Sequence, residues 1–186
     1  IRLALDTIAA PSNCTTLELR LKGLKGGHSG IDIHLQRGNA VQLLGRMIHG
    51  ISHGTPGFLA DFQGGNKHNA IPREAWATLV LPDGDPAGAV DALRSELEAA
   101  AAEFRPEEPG MTFEVNRAET PEKAWDETAT RRILGLIGTL PHGVEDRRLR
   151  DSLIGIEPGA MATVRIEVLE HRPGRTATQP YRVVVQ

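Results

Sequence analysis

A chain of 186 residues has room for one domain, or one domain with an elaboration, and is too short for most complete two-domain enzymes. Its 21 Lys and Arg against 24 Asp and Glu leave a net charge of −3, so no basic excess exists to neutralise a phosphate backbone, which argues against a nucleic-acid partner. Apolar residues make up 40% and aromatic residues only 4%, pointing to a core of Leu, Ile, Val and Ala.

The first residues, IRLALDTIAAPSN, lack the basic start and apolar stretch of an export signal, and no later run approaches the ~20 apolar residues of a bilayer span. Cys14 is the single cysteine, so an internal disulfide and a thiolate metal cluster are both impossible, and a reducing, cytoplasmic setting is expected. TTLELRLK alternates Leu17, Leu19 and Leu21 at the period of a half-buried strand. After the glycine-rich GLKGGHSG, the spacing of Leu44, Met47, Ile48 and Ile51 predicts a helix with Asn39 as N-cap. GFLADFQ reads as a short strand, GGNKHNAIPR as a turn-rich connection, and Ala75, Ala77, Leu79 and Leu81 as one face of a further strand, the two strands forming a long-looped hairpin.

Asp85-Pro86 opens an alanine- and leucine-rich helix that Arg105-Pro106 ends, and Met111, Phe113 and Val115 alternate along the next strand. The order β-α-β-β-α-β is the ferredoxin-like unit, an α+β fold with an antiparallel sheet and its helices on one face. Thr120-Pro121 predicts a further helix carrying Ala129, Ile133, Leu136, Ile137 and Leu140. ATVRIEVLE and YRVVVQ, joined by HRPGRTATQP, then extend the same sheet by two strands. The start at Ile1 and the apolar end YRVVVQ lead to the expectation of a piece of a longer protein.

Chemistry is sparse. His49 and His53 share a helical spacing, but no glutamate follows His49 and glycines mark a helix end, so exposed histidines are expected there. Asp32 and His34 have no third ligand, and Glu107-Glu108, in RPEEPG, reads as a solvated turn. GHSG lacks the spacing of a nucleophile elbow or a phosphate loop, and Cys14 has no base nearby in sequence. Two glycine-bracketed segments are left, GGHSG and GGNKHNAIP. Either their glycines, Gly26, Gly27, Gly30, Gly64 and Gly65, allow close backbone approach so that His28 and Asn69 can present a donor, or both residues satisfy local turns.

GLKGGHSGIDIHLQRGNA, followed by GGNKHNAIPREA, resembles the lid, or dimerisation, domain of the co-catalytic zinc exopeptidases that include carnosinases and glutamate carboxypeptidases, and more narrowly the Xaa-His dipeptidase branch. LPHGV and, less well, DSLIG fit the same resemblance. It implies that residues 1–186 are one lid domain inserted in a larger cytoplasmic enzyme, with two zinc ions in a catalytic domain absent from this chain. It implies that His28 reaches an active site, in dimeric members the partner subunit's, to hydrogen-bond the scissile carbonyl oxygen of a dipeptide, and that Asn69 contacts substrate. No residue of this chain is expected to bind metal, since no H-x-D motif occurs, and the fragment alone is expected to be inactive. The strand AWATLVLP carries no arginine where many relatives hold the substrate carboxylate, and Ser152-Leu153 is not followed by the branch's asparagine. Homodimerisation through the lid is a further implication. The competing readings are the lid of a related amidohydrolase, such as a deacylase or carboxypeptidase, and a free-standing ferredoxin-like binding module.

Overall fold

The computed structural model describes residues 2–52, 57–82, 86–104, 106–142, 164–168 and 179–185. In chain order these form β1 (Arg2–Leu5), β2 (Thr7–Ala9), β3 (Cys14–Lys22), β4 (Gly27–His28), a 3-10 turn (Ile33–Leu35), α1 (Ala40–Ile51), β5 (Phe58–Gly64), β6 (Ala70–Ile71) and β7 (Ala75–Pro82). There follow α2 (Pro86–Phe104), β8 (Thr112–Ala118), β9 (Lys123–Trp125), α3 (Glu127–Thr139), β10 (Val164–Val168) and β11 (Gln179–Val185).

One seven-stranded antiparallel sheet runs β1-β11-β10-β5-β7-β3-β8. Its β5-β7-β3-β8 part, with α1 and α2, is the expected β-α-β-β-α-β unit. Leu17, Leu19 and Leu21 lie opposite Leu79, Ala77 and Ala75, so the period-two apolar sets of β3 and β7 coincide on the helix-covered face. The other face is polar: Arg20 pairs with Glu74 at 2.9 Å and lies 5.3 Å from the centre of the Trp76 ring, and Lys22 pairs with Glu114. An antiparallel sheet with one solvated face carries this division.

On β5 the buried residues Leu59 and Phe62 are three apart, which strict alternation would send to opposite faces. A register shift between Leu59 and Asp61 adds one residue and returns both side chains to the core. Core composition follows the expectation of small aliphatics, with Phe62, Met47 and Trp125 as additions among its largest fully buried side chains. Each contributes about 1.5–3 kcal/mol by burial. Gly45 lets α1 close on α3, since a Cβ there would fall 2.6 Å from Ile137 Cγ2.

Three expectations are corrected. The helix predicted from Thr120-Pro121 starts instead at Glu127, capped by Asp126, whose side chain accepts from Ala129 N. The intervening residues make β9, which pairs with β2 and buries Ala124 and Trp125, so an apolar contact overrides the Thr-Pro start signal. The N-terminal segment, read only for its lack of a signal, supplies β1 and β2, and β1 pairs with β11 at the sheet edge. GGNKHNAIPR is more than a connection, because its Ala70 and Ile71 form β6 against β4. The predicted N-cap Asp85, His53, the stretch DSLIG and loop residues 171–178 lie outside the described residues.

Candidate functional site

β4 and β6 bring the two glycine-rich segments onto one small antiparallel ribbon, with Gly27 opposite Ile71 and His28 opposite Ala70. Ser29 N donates to Asn69 O at 2.9 Å, so His28 and Asn69 meet at the end of this ribbon, and both are exposed. The chain then turns back: Asp32 N donates to His28 O at 2.8 Å, and His28 N donates to Asp32 Oδ2 at 2.8 Å.

His28 performs the local turn role with one ring nitrogen only. Its Nδ1 accepts from Gly30 N at 2.9 Å and from Ile31 N at 3.2 Å. A nitrogen that accepts carries no proton, so the neutral ring is the Nε2–H tautomer. Nε2 has no partner among the described residues and is left to donate outward. The side-chain amide of Asn69 likewise has no partner among the described residues. Ile31, 70% exposed, and Leu35, 41% exposed, add an apolar rim beside the histidine.

Of the bracketing glycines, Gly26 (φ +62°) and Gly27 (φ +147°) occupy backbone regions that favour glycine, and a Cβ on Gly26 would fall 2.2 Å from Arg73 Cγ. Gly64 is buried against Val41 at the end of β5, Gly65 follows it into the turn, and Gly30 supplies the N–H bonded to His28. Behind the ribbon lies a cavity of about 560 Å³ lined by Gly27, Gly65, Lys25, Lys67 and Arg73. A larger groove of about 810 Å³ bordered by α1, α3 and the end of α2 contains neither His28 nor Asn69, and its Arg46 is already paired with Glu103 at 2.8 Å.

No cluster of three His, Cys, Asp or Glu among the described residues could hold a metal ion. Asp32 is committed to His28 N and lies 3.6 Å from Arg37, which removes it from any pairing with His34. His49 is exposed in the last turn of α1 as expected. Cys14 lies 3.5 Å from the Thr120 hydroxyl, with no base beside it among the described residues.

Two buried or partly buried polar side chains near these segments were not legible in the sequence. His142, in LPHGV, is partly buried: its Nε2 donates to Arg37 O and its Nδ1 accepts from the N-cap Asn39, both at 3.3 Å, and burial pushes its pKa below the ordinary histidine value against the opposing hydrogen bond to Arg37. Glu108 corrects the solvated-turn reading, since it is only 2% exposed. Its carboxylate accepts from Lys25 N at 2.7 Å and Gly38 N at 2.9 Å. Neither partner is a side chain, so no residue pattern announces it.

Residues 19–109 match the family model described as a peptidase dimerisation domain. The chain is 36% identical over 146 residues to the cytosol non-specific dipeptidase of Escherichia coli (strain K12), an alignment covering 76% of this chain and 29% of that protein. It superposes on the crystal structure of an aminoacylhistidine dipeptidase from Vibrio alginolyticus with a TM-score of 0.79 and 27% identity, over 99% of this chain and 36% of that one. The chain thus spans about a third of the length of either relative. With the sheet order, the paired glycine segments and these similarities in agreement, the chain belongs, through residues 19–109, to the peptidase dimerisation domain family.

Proposed function

We propose that residues 1–186 form the lid and dimerisation domain of a metal-dependent dipeptidase that hydrolyses Xaa-His or similar dipeptides in the cytoplasm. The names of the two relatives support the substrate class. The metal ions, two zinc ions on this reading, lie in the catalytic domain of the longer protein.

The observation that carries the proposal is the committed Nδ1 of His28. Two backbone N–H groups lock the ring so that Nε2–H points outward as a fixed donor. Placed against the scissile carbonyl, that donor gains strength as the oxygen takes up negative charge, so it favours the transition state over the ground state. Asn69, held beside it through Ser29, contacts the substrate, while Ile31 and Leu35 offer apolar surface for docking onto the catalytic domain. The same lid joins two subunits, and His28 serves the partner's site.

The test is His28→Ala in the full-length protein. Turnover should fall by about 10²–10³-fold, as in oxyanion-hole deletions, with metal content unchanged; loss of metal would refute the assigned role. Mixing His28→Ala subunits with subunits lacking metal should restore activity if the histidine acts across the dimer, and no recovery would place it in the same chain.

A further inference from the structure

Glu108 is a buried carboxylate with no charged partner among the described residues. Burying a charge is costly unless hydrogen bonds compensate it. Here the compensation comes from backbone N–H groups, and one of them, Gly38 N, sits at the N-terminal end of α1, where the helix dipole favours negative charge.

The two groups it holds lie on either side of the His28 loop. Lys25 is three residues before His28, and Gly38 is one residue before the α1 N-cap. The turn carrying Glu108 backs onto this segment closely: a Cβ on Gly23 would fall 2.0 Å from Gly110 O, and one on Gly38 would fall 3.4 Å from Glu108 Cγ. Next to Gly38, Arg37 Nη1 donates to Gly26 O and lies 3.6 Å from Asp32, whose carboxylate takes His28 N. A closed ring results, running from Glu108 through Lys25, Gly26, His28, Asp32, Arg37 and Gly38 back to Glu108.

His28 is tied outside residues 25–38 through Ala70 and Arg37 through His142, and Glu108 adds the anchor to the end of α2. Its own N–H donates to Phe104 O at 2.7 Å, and its carbonyl accepts from Met111 N at 3.2 Å, tying it to the end of α2 and the approach to β8. On the opposite side the loop is held by the β4–β6 ribbon. The loop is therefore clamped between two fixed elements, with His28 at its tip.

We propose that Glu108 is a positioning residue for His28: by holding Lys25 N and Gly38 N together it sets where the Nε2–H donor lies. The proposal rests on the reading that His28 acts on substrate. A carboxylate is required because each of its two oxygens accepts one N–H. Glutamine at 108 keeps the volume but turns an NH₂ toward Lys25 N or Gly38 N, and the loop must shift to relieve the clash of donors.

The experiment is a double-variant cycle in the full-length protein with Glu108→Gln, His28→Ala and both together. Glu108→Gln should lower kcat on the order of 10²-fold, the cost of displacing a catalytic group by about 1 Å, and should add nothing once His28 is gone. The ¹⁵N shifts of the His28 ring should change from the pure Nε2–H tautomer to a mixture in Glu108→Gln, an outcome a merely stabilising residue would not produce. Independent losses in the double variant, or an unchanged tautomer with unchanged kcat, overturn the proposal. An inert His28→Ala variant would instead refute the underlying reading of His28. Should Glu108→Gln fail to fold, Arg37→Met opens the same ring at the Gly26 contact, and unchanged kcat and ring shifts in that variant overturn the proposal equally.

Discussion

The hydroxyl of Thr130 on α3 accepts the backbone N–H of Leu59 at 3.1 Å, inside the protein and next to the bulge of β5. β10 pairs with β5 only at Gly64 among the described residues, so a helix side chain takes over an edge position that a neighbouring strand would otherwise fill. Thr130→Val keeps the shape and leaves a buried N–H unpaired, which should cost about 1–3 kcal/mol. Thr130→Ser should retain most of the stability. Chemical denaturation of the three forms checks this, and a valine variant as stable as the parent would show that Leu59 N reaches water.

Asn39 does two jobs at the start of α1. Its Oδ1 accepts from Val41 N and Gln42 N, and its Nδ2 faces His142 Nδ1. Asn39→Ala should therefore destabilise the fold by about 1–2 kcal/mol through the lost cap alone. Asn39→Asp should keep the cap but place a carboxylate against His142, raising the pKa of that ring. Titration of the His142 ring by NMR separates the two effects, and an unmoved pKa in Asn39→Asp would mean the two side chains do not face each other in solution.

The same histidine makes stability pH-dependent. Burial holds the folded pKa of His142 below the ordinary value of 6.5, so between the two values the unfolded chain binds more protons than the folded one. The contribution of this group is thus complete above about pH 6.5, declines as the pH drops toward the folded pKa and changes no further below it. His142→Gln should flatten that part of the acid limb in a series of thermal melts. An unchanged slope would remove His142 as its cause.

What the sequence revealed follows from what each signal physically encodes. β3, α1 and β7 were legible because their apolar residues repeat at the period of the element that buries them, and Asn39 because a cap acts on its own next residues. β5 was legible as a strand, but its bulge was not, since Leu59 and Phe62 break the alternation. Thr120-Pro121 misled because a local start signal competes with the burial of Trp125, which only the tertiary structure contains. His28 and Asn69 stood out through their glycines and the family resemblance, yet their meeting depends on two-residue strands too short to leave a pattern. Glu108 was invisible for a stronger reason: its partners are backbone groups 83 and 70 residues away.

Gly27 offers the sharpest separation of site geometry from stability. At φ +147° only glycine is comfortable, and an added Cβ would fall 2.5 Å from Arg37 Nη1 and 2.7 Å from Asp32 Oδ2. Gly27→Ala should therefore cost about 1–3 kcal/mol of backbone strain and push apart the two side chains that hold Gly26 O and His28 N. Gly138 on α3 has nothing within 4 Å of its built Cβ, so Gly138→Ala should instead stabilise by about 0.5–1 kcal/mol through helix propensity. In the full-length protein, turnover should fall on the order of 10²-fold in Gly27→Ala and stay level in Gly138→Ala. Because the lost turnover comes from a displaced His28, Gly27→Ala should have little further effect in a His28→Ala background. A Gly27→Ala protein that melts lower but turns over normally would show that the histidine loop tolerates this shift, and would count against a tightly placed Nε2–H donor.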